Sequence, residues 1–255
     1  KDNLHMNRGG YMIWRKTLKP ALENELKESP RIAKQYTATL PDSTARKTKY
    51  LNKDFLLYLP KDYPEKEKLP LMIFLHGMGE RGADLNRVKI HGPPKLIAQG
   101  RHLPFITASP QCTKDPSGKG WWQTDDLNLL LDYIQEFYRV DPDRIYLTGL
   151  SMGGFGTWNW ITTNPDKFAA AVPICGGGNP DKAKAIKDLP IWVFHGAKDN
   201  TVPLEKSKQM VQALKKQGSK VKFTAYPNAA HDSWTKTYNN EQLYKWLEKQ
   251  NRTNE

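Results

Sequence analysis

Several features that mark other protein classes are scarce or absent in this sequence. Its 255 residues include only two cysteines, too few to indicate a redox compartment. No apolar run approaches the roughly 18 residues of a membrane-spanning helix, so we expect no membrane partner. Internal repeats and low-complexity tracts are also absent. The length is within the range of a single α/β domain.

Acidic residues are the minority among the charged ones. The sequence has 39 Lys and Arg against 27 Asp and Glu, a formal net charge of +12. Nothing resembles a nucleic-acid-binding motif, so no nucleic-acid partner is expected. The lysines are spread along predicted helices and loops, which is typical of a solvated surface. Attraction to anionic polymers, such as polysaccharides that carry uronic acids, is the alternative.

The most informative stretch is Gly-Leu-Ser-Met-Gly at 149–153, which reads G-x-S-x-G. A short apolar and β-branched run at 144–148 precedes it, and a segment that can start a helix follows it. A serine on a sharp strand-to-helix turn is the nucleophile elbow of α/β-hydrolases. Small residues at Gly149 and Gly153 allow the strand and the helix to pack closely. Ser151 is therefore the predicted nucleophile.

The chain order Ser, Asp, His that this elbow requires is present. Asp199 ends the loop after one predicted strand, and His231 lies in the loop after the next. In this hypothesis Asp199 orients the His231 ring, which takes the proton from the Ser151 hydroxyl. A turn role for Asp199 is the alternative. His195 is the rival base, but it precedes Asp199 and ends an apolar strand, a position more typical of a structural histidine.

Acyl transfer also needs hydrogen-bond donors for the oxyanion. One is the backbone N–H of the residue after the nucleophile, here Met152. We assign the other to the backbone of Met78, in a Gly-rich loop after the apolar strand at 71–75. The alternative is an ordinary Gly-rich turn. The loop lacks the Lys-Ser/Thr ending of a phosphate loop, and its His76 is more typical of a structural hydrogen-bonding residue than of a catalyst.

The sequence resembles the α/β-hydrolase serine esterases related to carbohydrate esterase family 1. More narrowly, it is similar to a bacterial group labelled predicted peptidase or phospholipase/carboxylesterase. The resemblance covers roughly residues 50 to 250 and rests on HGMGERGADL (76–85), HGPPKLI (91–97), SPQC (109–112), the Trp121-Trp122 pair, VDPDRIYLTGLSMGGFGTW (140–158), PICGGG (173–178), FHGAKDNTVP (194–203) and HDSWTKTY (231–238). It implies a triad of Ser151, Asp199 and His231, no metal and no cofactor. It also implies hydrolysis of carboxylic esters, often feruloyl or acetyl esters of plant polysaccharides.

Strands that alternate with helices indicate a mostly parallel central sheet flanked by helices. The elbow at Ser151 and the resemblance imply that this sheet has the α/β-hydrolase fold. Helices are predicted at 125–137 and 203–217, and an opening hairpin at 46–59. Residues 1–45 differ from the rest, with helix-like apolar spacing from Tyr11 to Leu26. We interpret them as an N-terminal extension that packs on a catalytic domain at 46–255, with a partly ordered tail as the alternative.

Two tryptophans are candidates for the substrate pocket. Trp122 and Trp234 lie near predicted strand-end loops or triad members, and aromatic rings often line sugar and aryl-acyl pockets. The alternative is core filling, which we expect for Trp158 and Trp160. Cys112 and Cys175 follow strands that are not adjacent in the expected order, so both are predicted to be free thiols.

Three function hypotheses remain open at this point. The first is a secreted or periplasmic serine esterase that acts on an acylated polysaccharide or a small ester. Its leader would be already removed, since the chain begins at Lys1 without an apolar signal core. The second is a serine peptidase, although large oligopeptidases of this fold carry a gating domain for which 255 residues leave no room. The third is a non-catalytic carbohydrate-binding protein. Oligomeric state is left open.

Overall fold

A computed structural model describes residues 34–61, 63 and 68–252. The strands of these residues form one eight-stranded sheet in the order β1-β2-β4-β3-β5-β6-β7-β8. The strands are β1 Lys34–Thr39, β2 Asp54–Leu59, β3 Leu69–Leu75, β4 Ile106–Ser109, β5 Val140–Leu150, β6 Ala170–Ile174, β7 Trp192–Gly196 and β8 Lys222–Tyr226. The pairs β1·β2 and β2·β4 are antiparallel, and the other pairs are parallel. The predicted α/β-hydrolase fold with a mostly parallel sheet is confirmed.

The central strands are continuous apolar runs because both faces of the sheet are covered. β3 reads LPLMIFL, and its residues after Leu69 are buried. Its side chains alternate between two cores: Leu71 and Ile73 belong to one, Met72 and Phe74 to the other.

Helices cover both faces of the sheet. They are α1 Asp42–Ala45, α2 Gly92–Ala98, α3 Thr124–Phe137, α4 Met152–Thr163, α5 Glu205–Lys216, α6 Trp234–Tyr238 and α7 Glu241–Glu248. Buried side chains of α3, α4 and α5 join the first core, and those of α2, α6 and α7 join the second. The helices predicted at 125–137 and 203–217 are confirmed as α3 and α5. Each buries the apolar stripe that its spacing indicated.

The N-terminal boundary needs a correction. The opening hairpin does not begin at residue 46, because β1 already pairs with β2 along its whole length, from Lys34 opposite Leu59 to Thr39 opposite Asp54. The sheet thus includes part of the segment assigned to an extension. The helix-like spacing from Tyr11 to Leu26 lies outside the described residues, and the extension there stays a prediction.

The remaining structural predictions concern buried groups and membrane spans. Cys112 and Cys175 are free and buried, and Trp158 and Trp160 are fully buried core residues, as expected. Within the part of the chain that the structure describes, no helix combines the length and apolarity needed to cross a bilayer.

Candidate active site

Ser151 occupies a sharp turn between β5 and α4. Its φ of 52° and ψ of −117° lie in a region that L-residues rarely adopt. The Ser151 N–H donates to the Ile174 carbonyl at 3.0 Å, which ties the turn to the end of β6. The strained backbone therefore presents the hydroxyl at the carboxyl edge of the parallel strands.

Two glycines make this turn possible through close backbone contact. A Cβ at Gly153 would collide with the Leu75 carbonyl at the end of β3. A Cβ at Gly149 would collide with the Gly153 carbonyl itself. The first turn of α4 therefore lies directly against the strands, which confirms the packing argument for the small residues on either side of Ser151.

The structure brings Ser151, His231 and Asp199 together from the ends of three parallel strands. The Ser151 Oγ lies 3.0 Å from His231 Nε2, and His231 Nδ1 lies 2.7 Å from Asp199 Oδ2. The Asp199 side chain is fully buried, whereas that of His231 is 21% exposed. With the carboxylate holding the proton on Nδ1, Nε2 is left free to accept from the serine hydroxyl.

The carboxylate of Asp199 remains ionised because it is well supplied with donors. Burial by itself would raise its pKa, but hydrogen bonds from His231 and from the backbone N–H groups of Val202 and Thr201 outweigh burial, and the pKa is lowered. Both backbone groups donate to Oδ1 at 2.9 Å. Oδ2 is thus left to face the imidazole.

The rival base, His195, has a structural position. Its ring is buried beneath Asp199, with Nδ1 2.7 Å from the Ser207 hydroxyl and Nε2 2.9 Å from the Val202 carbonyl. Burial lowers its pKa, which keeps the ring neutral. His195 thus supports the loop that carries Asp199 and has no access to the cleft.

Met78 and Met152, the residues assigned to the oxyanion hole, both line the cleft. Each is the first residue of a helical segment, the 3₁₀ turn Met78–Glu80 and α4. The first N–H groups of a helix have no partner within it. Ser151 lines the same cleft, and the two backbone N–H groups stay the predicted oxyanion donors.

The loop that carries Met78 is fixed by buried polar contacts. The Gly77 N–H donates to Glu80 Oε2 at 2.8 Å, and the His76 ring spans the Gly77 carbonyl and the Cys112 N–H. Since Nε2 of His76 accepts from an N–H, the ring is neutral with its proton on Nδ1. Burial lowers its pKa to about 4. His76 is a structural hydrogen-bonding residue, as predicted.

Aromatic side chains form much of the cleft above Ser151. The cleft has a volume of about 370 Å³, and its lining includes Met78, Glu80, His91, Trp121, Phe155 and Trp234. Trp234 reaches the site as predicted, with its ring edge-to-face against His231 at 5.1 Å between centroids.

The placement predicted for Trp122 is wrong. Its indole is buried beneath the cleft, where Nε1–H donates to the His76 carbonyl and the ring packs against His76. Its neighbour Trp121 is 39% exposed and contacts Phe155 edge-to-face at 6.1 Å. The wall predicted for one ring of this pair is thus formed by the other.

Within the described residues, one cluster has metal-ligand character. Possible ligand atoms of Cys175, Asp199 and His231 lie within 4.8 Å of one another. The imidazole and the carboxylate are already hydrogen-bonded to each other. Burial raises the pKa of the Cys175 thiol to about 12, which opposes the thiolate that a metal would need. The cluster therefore fits a metal poorly.

Several cleft residues were missed by sequence reasoning. Trp121 was named only as one of a pair, and Glu80, His91 and Phe155 received no site role. The one feature of the sequence that could have indicated a site role for these residues is that they lie in the segments that resemble esterases. Glu80, His91 and Trp121 are far from Ser151 along the chain, so the sequence gave no indication of their proximity, whereas Phe155 follows Ser151 by four residues on the predicted helix.

The parallel sheet, the sharp turn at Ser151 and the geometry of the Ser–His–Asp triad together define an α/β-hydrolase with a serine at the nucleophile position. The model of the dienelactone hydrolase family matches residues 110–250 of the 255. The chain belongs to that family.

Relatives carry a range of names. A bifunctional acetylxylan esterase/xylanase of Neocallimastix patriciarum is 24% identical over 204 residues, which is 76% of this chain and 28% of that protein. An uncharacterized peptidase of Bacillus subtilis is 29% identical over 153 residues, 46% of this chain and 23% of that protein. The chain therefore spans less than a third of either relative.

Solved structures agree on the fold. A thermostable esterase superposes with a TM-score of 0.69 at 34% identity, covering 88% of this chain and 64% of that one. The feruloyl esterase module of Clostridium thermocellum superposes with a TM-score of 0.62 at 18% identity, covering 86% and 88%.

Proposed function

We propose that the protein is a serine carboxylic ester hydrolase that removes feruloyl or acetyl groups from plant-type polysaccharide. One observation carries the proposal: the hydrogen-bonded chain from Ser151 through His231 to Asp199 opens into an aromatic-lined cleft. A hydroxyl is a poor nucleophile without an adjacent base, and the base here is oriented by a buried carboxylate.

The geometry supports a two-step reaction through an acyl-enzyme. The Ser151 Oγ attacks the ester carbonyl carbon while His231 Nε2 takes its proton. The tetrahedral oxyanion accepts hydrogen bonds from the N–H groups of Met78 and Met152. Collapse expels the alcohol, which His231 protonates. A water that gives a proton to His231 then attacks the acyl-enzyme, and His231 returns that proton to the Ser151 Oγ as the acid leaves.

The shape of the cleft supports an acyl group that includes an aromatic ring. A volume of about 370 Å³ and the side chains of Trp121, Phe155 and Trp234 suit stacking on a flat ring. The name of a feruloyl esterase module among the similar structures agrees with this, whereas the acetylxylan esterase/xylanase among the relatives supports the acetyl alternative.

The proposed substrate also suggests a location. Acylated plant polysaccharide lies outside cells, so we propose that the enzyme acts in a secreted or periplasmic setting. A relative from Arthroderma benhamiae, 26% identical over 206 residues, is described as a secreted protein. Fractionation of the native host, with immunodetection in each fraction, tests this; confinement to the cytosol would contradict it.

The first experiment compares wild type with Ser151→Ala on p-nitrophenyl acetate and methyl ferulate. We expect wild-type turnover of at least one ester and its loss in the variant, with the fold retained by circular dichroism. Ser43→Ala, on the exposed face of α1, is the matched control and should keep full activity.

Each other outcome points to a different function. Turnover that persists in Ser151→Ala would remove the serine from the mechanism. Absence of ester turnover in wild type would contradict the proposal. Cleavage of acylated peptides would then identify a peptidase, and binding of polysaccharide without turnover would identify a carbohydrate-binding protein.

A further inference from the structure

Besides its aromatic side chains, the cleft has two titratable side chains outside the triad. Glu80 and His91 both line the cleft together with Ser151. Glu80 Oε1 lies 3.8 Å from His91 Nε2, too far for a direct hydrogen bond. We call these two side chains the Glu80–His91 pair. The mechanism above gives neither of them a role.

The carboxylate of this pair is fixed and only partly satisfied. Glu80 is 7% exposed, and burial of a carboxylate is costly unless hydrogen bonds compensate. Its Oε2 accepts from the Gly77 N–H at 2.8 Å, which leaves Oε1 directed to the gap in front of His91. A fixed acceptor thus faces an imidazole that is 29% exposed and reachable from the cleft.

We infer that the Glu80–His91 pair binds a hydroxyl group of the alcohol part of the substrate. At a separation of 3.8 Å, a single oxygen can lie at about 2.8 Å from both atoms. A hydroxyl donates one hydrogen bond and accepts others, so it can donate to Glu80 Oε1 and accept from His91 Nε2–H. A carbonyl cannot donate to the carboxylate. With the His91 proton on Nε2, an ammonium cannot accept from the imidazole.

The position of the pair relative to His231 assigns this hydroxyl to the alcohol. Trp234 contacts both histidines edge-to-face, with centroids 5.1 Å from His231 and 5.3 Å from His91. His231 delivers its proton to the departing alcohol oxygen. A sugar alcohol carries further hydroxyls, and in this inference one of them extends along the Trp234 ring to the pair. The favoured substrates are therefore esters of polyhydric alcohols such as sugars, an inference that rests on the proposed function.

The test compares two esters of one acid. kcat/KM is measured for methyl ferulate and for feruloyl arabinose, and for methyl acetate and acetylated xylose, in wild type, Glu80→Gln and His91→Ala. We expect wild type to prefer the sugar ester. Loss of a hydrogen bond to a charged group should lower the sugar-to-methyl ratio about 10-fold in either variant.

The variants separate recognition from loop structure. In Glu80→Gln, the amide oxygen can still accept from Gly77, while its NH₂ group replaces the acceptor that faces the cleft. A loss for the methyl esters in this variant therefore reports on the loop that carries Met78, and only the change in the sugar-to-methyl ratio reports on recognition of the hydroxyl. His102→Ala, an exposed histidine outside the cleft lining, is the matched control and should leave the ratio unchanged.

Three results would overturn the inference. A wild-type ratio near one, or a ratio that both variants leave unchanged, would leave the pair without a role in recognition. An equal loss for both esters would show that the pair only supports the oxyanion loop. If methyl esters are still hydrolysed when the inference fails in one of these ways, the proposed esterase function stands. If wild type hydrolyses no ester, both the proposed function and the inference about the Glu80–His91 pair fail.

Discussion

Replacement of Asp199 by asparagine is expected to reverse the tautomer of His231. The Asp199 Oδ1 accepts two backbone N–H groups, from Thr201 and Val202, at 2.9 Å each. An asparagine must keep its carbonyl oxygen at that position, so its NH₂ group replaces Oδ2, 2.7 Å from His231 Nδ1. Nδ1 must then accept, and the ring proton moves to Nε2, where it blocks proton transfer from Ser151.

The size of the effect follows from the role of the tautomer. An inverted imidazole cannot act as the base, while the oxyanion donors and the cleft remain intact. In a serine hydrolase with this geometry, such a change lowers kcat by about 10⁴, equivalent to about 5 kcal/mol in activation free energy. Asp199→Ala should be comparably slow for a different reason, because it leaves the ring without an orienting partner.

The assay is steady-state hydrolysis of p-nitrophenyl acetate, with thermal unfolding to verify the fold. Asp232→Asn is the matched control. That neighbouring carboxylate is exposed and bonds only Thr235 among the contacts found in the described residues, so kcat should change little. A kcat for Asp199→Asn within about 10-fold of wild type would refute the reasoning, because a correctly oriented Nε2 would then not depend on Asp199.

Three further predictions concern the cleft wall, a buried histidine and metals. Trp121→Ala should raise KM for methyl ferulate more than for p-nitrophenyl acetate, which steady-state kinetics measures. Trp122→Ala should instead lower the free energy of unfolding by about 3–5 kcal/mol, measured by urea denaturation, because it leaves a cavity. A larger effect of Trp122→Ala on KM and of Trp121→Ala on stability would restore Trp122 as the wall of the cleft. Burial lowers the pKa of His76 from 6.5 to about 4, so as pH falls the unfolded chain binds this proton first, and the free energy of unfolding should decrease by about 3 kcal/mol between pH 7 and pH 4. His76→Gln should lose that share of the pH dependence in urea denaturation, and an unchanged dependence would count against a neutral buried ring. EDTA should leave ester turnover unchanged; strong inhibition that added metal reverses would place a metal in the mechanism.

Local sequence pattern was sufficient for the elements that carry the chemistry. The elbow could be recognised because its requirements are local: an apolar strand, a serine between small residues and a helix start all lie within a few positions of Ser151. The choice of His231 over His195 followed from chain order, and the structure places His195 in a buried network with Ser207. The elbow was predictable because adjacent residues decide strand, turn and helix, whereas the choice of histidine depended on the chain order that the motif requires.

Features that depend on distant partners were less accessible. The side chains of β1 alternate only weakly between exposed and buried. The segment forms a strand because it pairs with β2. The assignment of residues 34–39 to an extension failed for that reason. No local signal distinguishes an edge strand of this kind from a tail.

By itself, the sequence determined the α/β class, the elbow at Ser151 and the order of the triad, because these depend on periodicity and on neighbours along the chain. Tertiary structure alone decided which tryptophan of the 121–122 pair faces the cleft. Trp122 packs against α4 at Gly156, where a Cβ would approach the indole Cδ1 to 2.9 Å, and this burial leaves Trp121 exposed. It also decided that Glu80 and His91 meet, because both lie in the connection between β3 and β4 and only the folding of that connection brings their side chains together.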